Sequence, residues 1–258
     1  MKRVVFFLLS ILLVSLSNEA GAAEPKHKIV AKSDSITLHA IERNGLFYDF
    51  KLNFQGSDYS RPFWINVSNP TYAPEIHYDD INGDKKKELI IILTKGYGTG
   101  VLEQEVAVFH VNGQQLREVL VDNPMAIVNK NLKSSLTKNK AVITIGQKSY
   151  QIDVKKLKLL PHTIFPGINF GSIIKYEIRD NKLYAVLYPQ LSPGAFAGSI
   201  VIEYEYRDRM YQAKSIIFVS QGDRSLGSFK TGPGGLTLWP QTEPGGQSLW
   251  PHCCFKGN

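Results

Sequence analysis

The chain is predicted to be a mainly β protein, an antiparallel, sandwich-like sheet module built of hairpins with one short helix. Two observations favour this fold class. Apolar and polar residues alternate along most segments, and Asn, Asp and Gly residues fall between the alternating runs. Length argues against a full propeller, because a four-stranded blade takes roughly 40 to 50 residues.

The amino terminus has the pattern of a secretory signal. Lys2 and Arg3 precede an apolar stretch, residues 4–16, and the small residues 20–22 follow it. We therefore expect residues 1–22 to be a cleaved signal peptide and the mature protein to be secreted, extracellular or cell-wall associated. An uncleaved anchor is the alternative. No later stretch approaches the roughly 20 apolar residues of a transmembrane helix, so none is expected after cleavage.

An acidic loop lies in the first predicted β region, residues 23–125. The sequence Asp80-Ile-Asn-Gly-Asp-Lys-Lys-Lys-Glu88 places oxygen-bearing side chains at loop positions 1, 3, 5 and 9, and the apolar run 89–93 after it predicts a buried strand. Hard cations such as Ca²⁺ bind to oxygen ligands of this kind. The same residues are compatible with a metal-free hairpin turn whose charges stay solvated.

The loop resembles the calcium-binding turn of FG-GAP and VCBS-type repeats, in which Asp-x-Asp/Asn-x-Asp-Gly-x-x-Asp precedes a short apolar strand. The resemblance implies Ca²⁺ as cofactor, held by side-chain oxygens of Asp80, Asn82, Asp84 and Glu88 and by the backbone carbonyl of Lys86. This chain departs from the pattern at the sixth position. Lys85 stands where the family usually has Gly, the residue best suited to a left-handed turn.

A single helix is predicted from Asn123, with Asn123 as its cap and Pro124 in its first turn. Its apolar face is predicted to comprise Met125, Val128, Leu132 and Leu136. The helix opens a second β region, residues 126–220, which is expected to pack with the first as one domain.

Turn residues in both regions predict hairpins. They occur at Asn112-Gly113 and at residues 179–182 and 207–209, between runs that alternate with the period of a strand. Beyond these runs, residues 221–258 are rich in Gly and Pro and repeat an imperfect Pro-Gly-Gly motif. This composition predicts a disordered tail.

Composition limits the classes of partner and cross-link. The formal net charge of +7 falls to +6 when Lys2, Arg3 and Glu19 leave with the signal, a loss of two positive charges and one negative. This modest excess is compatible with an anionic cell-envelope polymer. The lysines look scattered, and no basic stripe alternates with aromatics, so nucleic-acid binding is not expected. The adjacent Cys253 and Cys254 close no useful loop, so packing must hold the fold.

No local pattern predicts catalytic or cofactor-binding residues. The six histidines show no His-x-x-x-His spacing, and no Ser lies in a Gly-x-Ser-x-Gly elbow. Residues 96–100 are glycine-rich, but strand-like sequence follows where a phosphate loop needs a helix, so we interpret them as a wide turn beside the acidic loop.

Four segments, residues 69–75, 96–100, 171–174 and 192–194, are similar to a class of uncharacterised exported proteins of Bacillus-like Gram-positive bacteria. This resemblance implies export but no activity.

The leading functional hypothesis is a secreted or cell-wall-associated, non-catalytic β module. It would be stabilised by calcium and would bind an envelope component or another exported protein. One alternative is an extracellular hydrolase of wall polymers using a carboxylate pair such as Glu75 and Asp79. Another is a purely structural spacer. The sequence leaves the oligomeric state open.

Overall fold

In the computed structural model, which describes residues 26–220, most residues lie in β-strands, as predicted. The chain divides into two compact units between Ile76 and His77. The sequence-based β regions, residues 23–125 and 126–220, therefore meet inside the second unit. The predicted signal peptide, residues 1–22, and the predicted tail, residues 221–258, lie outside the described residues and stay predictions.

The first unit is an antiparallel sheet in the order β1-β2-β3-β4, in which β5 also pairs with β3. Its strands are β1 (Lys28–Ser33), β2 (Ile36–Arg43), β3 (Leu46–Phe54), β4 (Ser57–Arg61) and β5 (Asn66–Val67). A 3₁₀ turn covers Pro70–Tyr72. Strand β3 shows the expected alternation, since Phe50, Leu52 and Phe54 are fully buried while Lys51 is exposed.

The second unit contains most of the strands and the single described α-helix. In chain order its elements are β6 (Glu75–Asp79), which crosses the division after Ile76, β7 (Glu88–Gly98), β8 (Val101–Asn112), β9 (Gln115–Val121), α1 (Pro124–Asn131), β10 (Leu132–Leu136), β11 (Lys140–Ile145), β12 (Lys148–Asp153), a 3₁₀ helix (Val154–Leu157), β13 (Ile173–Arg179), β14 (Lys182–Leu187), β15 (Gln190–Ser192), β16 (Ala195–Phe196), β17 (Gly198–Arg207) and β18 (Met210–Ser220).

Six of these strands close into a barrel in the order β13-β14-β17-β18-β9-β8, because β13 pairs back onto β8. Strands β7 and β6 extend the sheet beyond β8. Two contacts in the ring are parallel, β13 with β8 and β18 with β9, and the rest are antiparallel. Closure leaves no free edge within the six-stranded ring. The expectation of hairpin-built sheets without a propeller is confirmed for the described chain. Closure of the strands into a barrel was not predicted.

The predicted hairpins are present. Between β13 and β14, Asp180 and Asn181 have φ of 48° and 56°, and between β17 and β18, Asp208 and Arg209 have φ of 51° and 68°. Positive φ at both central residues gives the twist that two-residue hairpins need. Gly113, with φ of 60°, turns the chain between β8 and β9.

The helix begins as predicted and ends early. Asn123 Oδ1 accepts hydrogen bonds from the N–H groups of Met125 at 2.9 Å and Ala126 at 3.1 Å. However, Leu132 has extended angles, φ −112° and ψ 144°, and opens β10, so placing Leu132 and Leu136 on the helical face was wrong. A spacing of four residues shares one face in a strand as well as in a helix, which explains the error.

Residues 96–100 also differ from expectation. Strand β7 continues through Gly98, and a tight turn at Thr99 and Gly100 leads directly into β8. Since Glu88 begins β7 and Gly98 ends it, this turn lies at the opposite end of the strand from the acidic loop. The interpretation as a wide turn beside that loop was therefore wrong. The buried strand predicted at residues 89–93 is confirmed, since all five side chains are buried.

Two further sheets complete the second unit. Strands β10, β11 and β12 form a three-stranded antiparallel sheet, and β15 pairs with β16. Ala141 and Ile143 of β11 are fully buried and belong to the same apolar cluster as residues of the barrel strands. The described α-helix is too short and too polar to span a membrane.

Candidate metal site

The acidic loop connects the end of β6 at Asp79 with the start of β7 at Glu88. Asp80 organises its first half. Oδ1 of Asp80 accepts a hydrogen bond from the N–H of Gly83 at 2.7 Å, and Oδ2 accepts one from the N–H of Lys85 at 2.9 Å. Both donors have left-handed backbones, with φ of 81° at Gly83 and 69° at Lys85. The sharp turn expected at the sixth loop position is therefore present despite the lysine.

Two more side chains repeat this arrangement along the loop. Asn82 Oδ1 accepts a hydrogen bond from the N–H of Asp84 at 2.8 Å, and Asp84 Oδ1 accepts one from the N–H of Lys86 at 2.8 Å. Each side-chain oxygen has two lone pairs, so these bonds orient the oxygens without using their full capacity. Lys86, predicted as a carbonyl ligand, is thus fixed to the loop through its own N–H.

Glu88, at the start of β7, connects the end of the loop to its beginning. Its Oε2 accepts a hydrogen bond from the N–H of Ile81 at 3.0 Å, and its Oε1 accepts one from Nδ2 of Asn82 at 3.0 Å. The residue is only 2 % exposed. Hydrogen bonds therefore join Glu88 to Asn82 and Asn82 to Asp84, whereas Asp80 is bonded to the backbone of Gly83 and Lys85.

Burial raises the pKa of Glu88 to about 7. The hydrogen bond from the Ile81 N–H opposes this rise, and the negative charges of Asp84 and Asp80 add to it. A carboxylate in a buried and acidic environment is costly to keep ionised. A bound cation would lower that cost by pairing with the charge.

The carboxylates alone do not form a preassembled metal cluster. Across residues 26–220, no group of three His, Cys, Asp or Glu side chains is arranged to hold a metal ion. The predicted set instead includes one amide, Asn82, and one backbone carbonyl, that of Lys86. A calcium ion takes 6–8 oxygen ligands from carboxylates, amides, carbonyls and water. The donor types in the loop match that preference, and calcium binding stays a prediction.

Two residues beside Glu88 were not singled out as part of the site by the sequence analysis. His110 lies opposite Glu88 in the pairing of β7 with β8. Its Nε2 is buried and has no hydrogen-bond partner in the described chain. Burial lowers the pKa of His110, the positive charge of Arg117 lowers it further, and Asp84 partly opposes this. His110 is therefore favoured as the neutral imidazole.

Tyr211 of β18 is the second such residue. It is fully buried, and its hydroxyl has no hydrogen-bond partner among the described residues. Burial raises the pKa of Tyr211 above its usual range, and the charge of Glu88 adds to the rise. The Tyr206 ring lies 4.7 Å from His110 and 5.5 Å from Tyr211, measured between ring centroids. Glu88 therefore borders a region of aromatic side chains.

A cavity of about 500 Å³ opens beside the loop. Asp84, Lys86 and Glu88 line it from the loop, and His110 and Arg117 line it from β8 and β9. It brings acidic, basic and imidazole groups to one place. The carboxyls named for a hydrolase, Glu75 and Asp79, lie instead at the two ends of β6.

No protein-family model matches the chain, and no curated protein matches it significantly. The likeness to calcium-binding repeats therefore rests on the sequence of residues 80–88 and stays a prediction.

Proposed function

We propose that the protein is an exported β module without a catalytic role, stabilised by calcium, that binds an envelope component or another exported protein. The observation that supports this best is the loop of residues 80–88. Its side-chain oxygens are oriented by hydrogen bonds, and its last member, Glu88, is buried at the start of β7.

The position of Glu88 favours a role in stability. This residue is the last of the loop and the first of β7, so a cation that binds Glu88 and the other loop oxygens would fix the loop to the sheet. Only the folded chain assembles these oxygens, and a ligand that binds only the folded state stabilises it. The carboxyl with the raised pKa belongs to this loop, which favours a metal-linked role for it over that of a catalytic acid elsewhere.

Export is supported by the sequence of residues 1–22, which lie outside the described chain. A metal-stabilised fold suits that location, since calcium modules of extracellular proteins work at dissociation constants of roughly 10⁻⁴ to 10⁻³ M. The positive net charge of the mature chain favours an anionic envelope component as partner.

Calcium should raise the melting temperature of the mature chain. At a free concentration about a hundred times the dissociation constant, the gain is about 2.7 kcal/mol, or roughly 5 to 10 °C for a protein of this size. Thermal melts in about 10 mM Ca²⁺, a hundredfold excess over a dissociation constant of about 10⁻⁴ M, and in excess EDTA measure it. Asp80→Ala and Asp84→Ala should lose the calcium effect. Asp79→Ala, which removes the same charge just outside the ligand set, should keep most of it. Identical melts of the unaltered protein in both buffers would refute the calcium role.

A further inference from the structure

A cluster of eight exposed lysines lies between residues 130 and 158, and we call this surface the lysine face. Its members are Lys130, Lys133, Lys138, Lys140, Lys148, Lys155, Lys156 and Lys158. The same span contains one acidic residue, Asp153, whose Oδ1 accepts a hydrogen bond from the N–H of Lys155 at 3.0 Å. The lysines that look scattered along the chain are therefore concentrated around one small sheet and its flanking segments.

Several basic side chains of the barrel strands are paired with acids. Lys175 and Arg179 contact Glu177, and Lys182 and Lys214 contact Glu203, at N–O distances of 2.9 to 3.2 Å. Within the described chain, no lysine of the lysine face is in an ion pair. Four basic side chains of the barrel are thus neutralised by acids, whereas the lysines of the lysine face are open to an external anion.

Protection of sheet edges does not account for the whole cluster. Strands β10 and β12 are the edges of the three-stranded sheet, and lysine on an edge strand discourages pairing with other chains. That explains Lys133 on β10 and Lys148 on β12. It does not explain Lys138 in a turn or the lysines of residues 155–158 in and after the 3₁₀ helix.

The lysines occupy both ends of the sheet. At one end, the turn before β11 meets the 3₁₀ helix, where the N–H of Val154 donates to the carbonyl of Asn139 at 3.0 Å. Lys138, Lys140, Lys155 and Lys156 belong to this end. At the other end are Lys130 in the last turn of α1, Lys133 on β10 and Lys148 on β12. Lys133 pairs with the outward-facing Thr144, whereas Lys148 pairs with Ile145 on the core-facing side, at the end of the hairpin. The length of β11 separates the two ends by about 17 Å at the rise of an extended strand.

The surface between the two ends is neutral and free of aromatics. Ala141 and Ile143 face the core, so Val142, Thr144 and their partners Gln151 and Ser149 face outward. Tyr150, the aromatic residue of this sheet, points inward and packs on Phe218 at 5.1 Å between ring centroids. Bases of a single-stranded nucleic acid therefore have no ring to stack on, and a membrane has no large apolar side chain to take up.

We propose that the lysine face binds a linear polyanion, an envelope polymer with repeated phosphate or carboxylate groups that runs along β11 from one lysine cluster to the other. The proposal rests on the proposed function only for the location of the partner. Two charge clusters about 17 Å apart favour an extended chain over a single small anion. The positive charges of the lysine face all belong to lysines, whose ammonium groups act as point charges and lack the bidentate hydrogen bonding of arginine. Binding is therefore expected to depend on charge density more than on the identity of the anionic group.

The test uses fluorescence anisotropy with labelled inorganic polyphosphate of graded chain length, in EDTA. The face variant is Lys133→Gln/Lys138→Gln/Lys156→Gln, and the matched control is Lys26→Gln/Lys32→Gln/Lys51→Gln, which has the same net charge. At about 0.1 M salt, the face variant should bind at least tenfold more weakly and the control within about twofold of the unaltered protein. The slope of log affinity against log salt should fall by about 2 for the face variant, since each neutralised phosphate contributes roughly 0.7.

Further arms separate the partner classes. Lys133→Arg/Lys138→Arg/Lys156→Arg should keep its affinity, and polyglutamate should bind with the same dependence on the three lysines. Equal loss in the control variant would overturn the proposal. The proposal would also be overturned if affinity did not depend on polyphosphate chain length. Tighter binding of single-stranded DNA than of polyphosphate at equal charge, or binding to anionic vesicles but not to polyphosphate, would overturn it as well. Calcium melts are recorded separately. Polyanion binding without a calcium effect would refute only the calcium role, and the reverse result would refute only the lysine face.

Discussion

Glu88 shows how one residue couples the loop to the sheet. It is the first residue of β7, and its carboxylate accepts hydrogen bonds from two residues of the loop. Those bonds give the carboxylate polar partners, yet burial still raises its pKa to about 7. Because the ordinary pKa of Glu is near 4.5, the folded protein binds a proton at Glu88 more tightly than the unfolded chain does.

The pH dependence of stability follows from that difference. Between pH 4.5 and pH 7 the folded state holds more protons than the unfolded state, so unfolding free energy should fall as pH rises. The loss attributable to Glu88 is on the order of 3 kcal/mol without metal. Urea titrations in EDTA at a series of pH values measure it. Excess Ca²⁺ should flatten the decline above pH 6, because the cation favours the ionised carboxylate.

Glu88→Gln is the control for this prediction. Glutamine keeps the size of the side chain but does not titrate, so the decline between pH 4.5 and 7 should become smaller. Asp79→Asn tests whether any acid near the loop has the same effect, and it should leave the decline intact. A decline of equal size in Glu88→Gln and in the unaltered protein would show that other groups cause it.

The candidate ligands were recognisable because they are consecutive in sequence. Spacing of oxygen-bearing residues over nine positions is a local property, and the loop that contains them folds locally through its own hydrogen bonds. His110 and Tyr211 reach Glu88 through sheet pairing instead. Placing His110 required locating the turn at Thr99 and Gly100, which sets the register of β7 with β8. Placing Tyr211 required the parallel contact of β18 with β9, for which no local sequence signal exists.

Individual elements were predicted well where their end signals were specific. Asn123 followed by proline identified the start of α1, and Asp-Asn between alternating runs identified the turn of β13 with β14. The end of α1 has no glycine, only the weaker signals of Lys130 and Asn131, so periodicity extended the predicted helix to Leu136. Ser134 and Ser135 are weak helix formers, and pairing with β11 provides the backbone hydrogen bonds of this segment instead.

The start of β17 depends on one glycine. Gly198 has φ of 145°, and a Cβ added there would lie 2.3 Å from the carbonyl oxygen of Val219 on β18 and 3.0 Å from the ring of Phe218. Gly198→Ala should therefore cost at least about 2 kcal/mol, or roughly 4 to 8 °C in melting temperature. Differential scanning calorimetry measures the change. Gly167→Ala, at a position with nothing within 4 Å and no positive φ, should leave the melting temperature nearly unchanged. Equal shifts in the two variants would contradict this account.

At the scale of the whole molecule, hairpins were predictable and their assembly was not. Each hairpin joins residues that are neighbours in sequence, whereas closure of the barrel joins Ile173 to Leu102 and Met210 to Leu120. Such pairing depends on which strands lie side by side after folding, and alternation is the same in an open sheet, a sandwich and a barrel. The sequence did contain a signal for the lysine face, since residues 130–158 have eight lysines and one acidic residue, but the pairing of β10, β11 and β12 was needed to place them around one small sheet.

The way the barrel closes also predicts which of its strand pairings unfold locally before the rest of the second unit. Each parallel contact is short, with two paired residues, whereas β7 with β8 and β17 with β18 form long antiparallel ladders. The amide of Leu102 donates to the carbonyl of Ser172 at 2.9 Å, and that of Asp122 donates to the carbonyl of Tyr211 at 2.9 Å. These two amides lie at the parallel contacts and should exchange by local opening.

Hydrogen exchange followed by NMR tests this expectation. Amides of Ile91 and Ile202, in the centres of the long ladders, should exchange only through global unfolding, with free energies that fall in urea as the unfolding free energy does. Amides of Leu102 and Asp122 should exchange at least tenfold faster, with little dependence on low urea, because opening a short contact exposes little surface. If all four amides share one free energy and one urea dependence, the barrel opens as a single unit and its parallel contacts are not weak points.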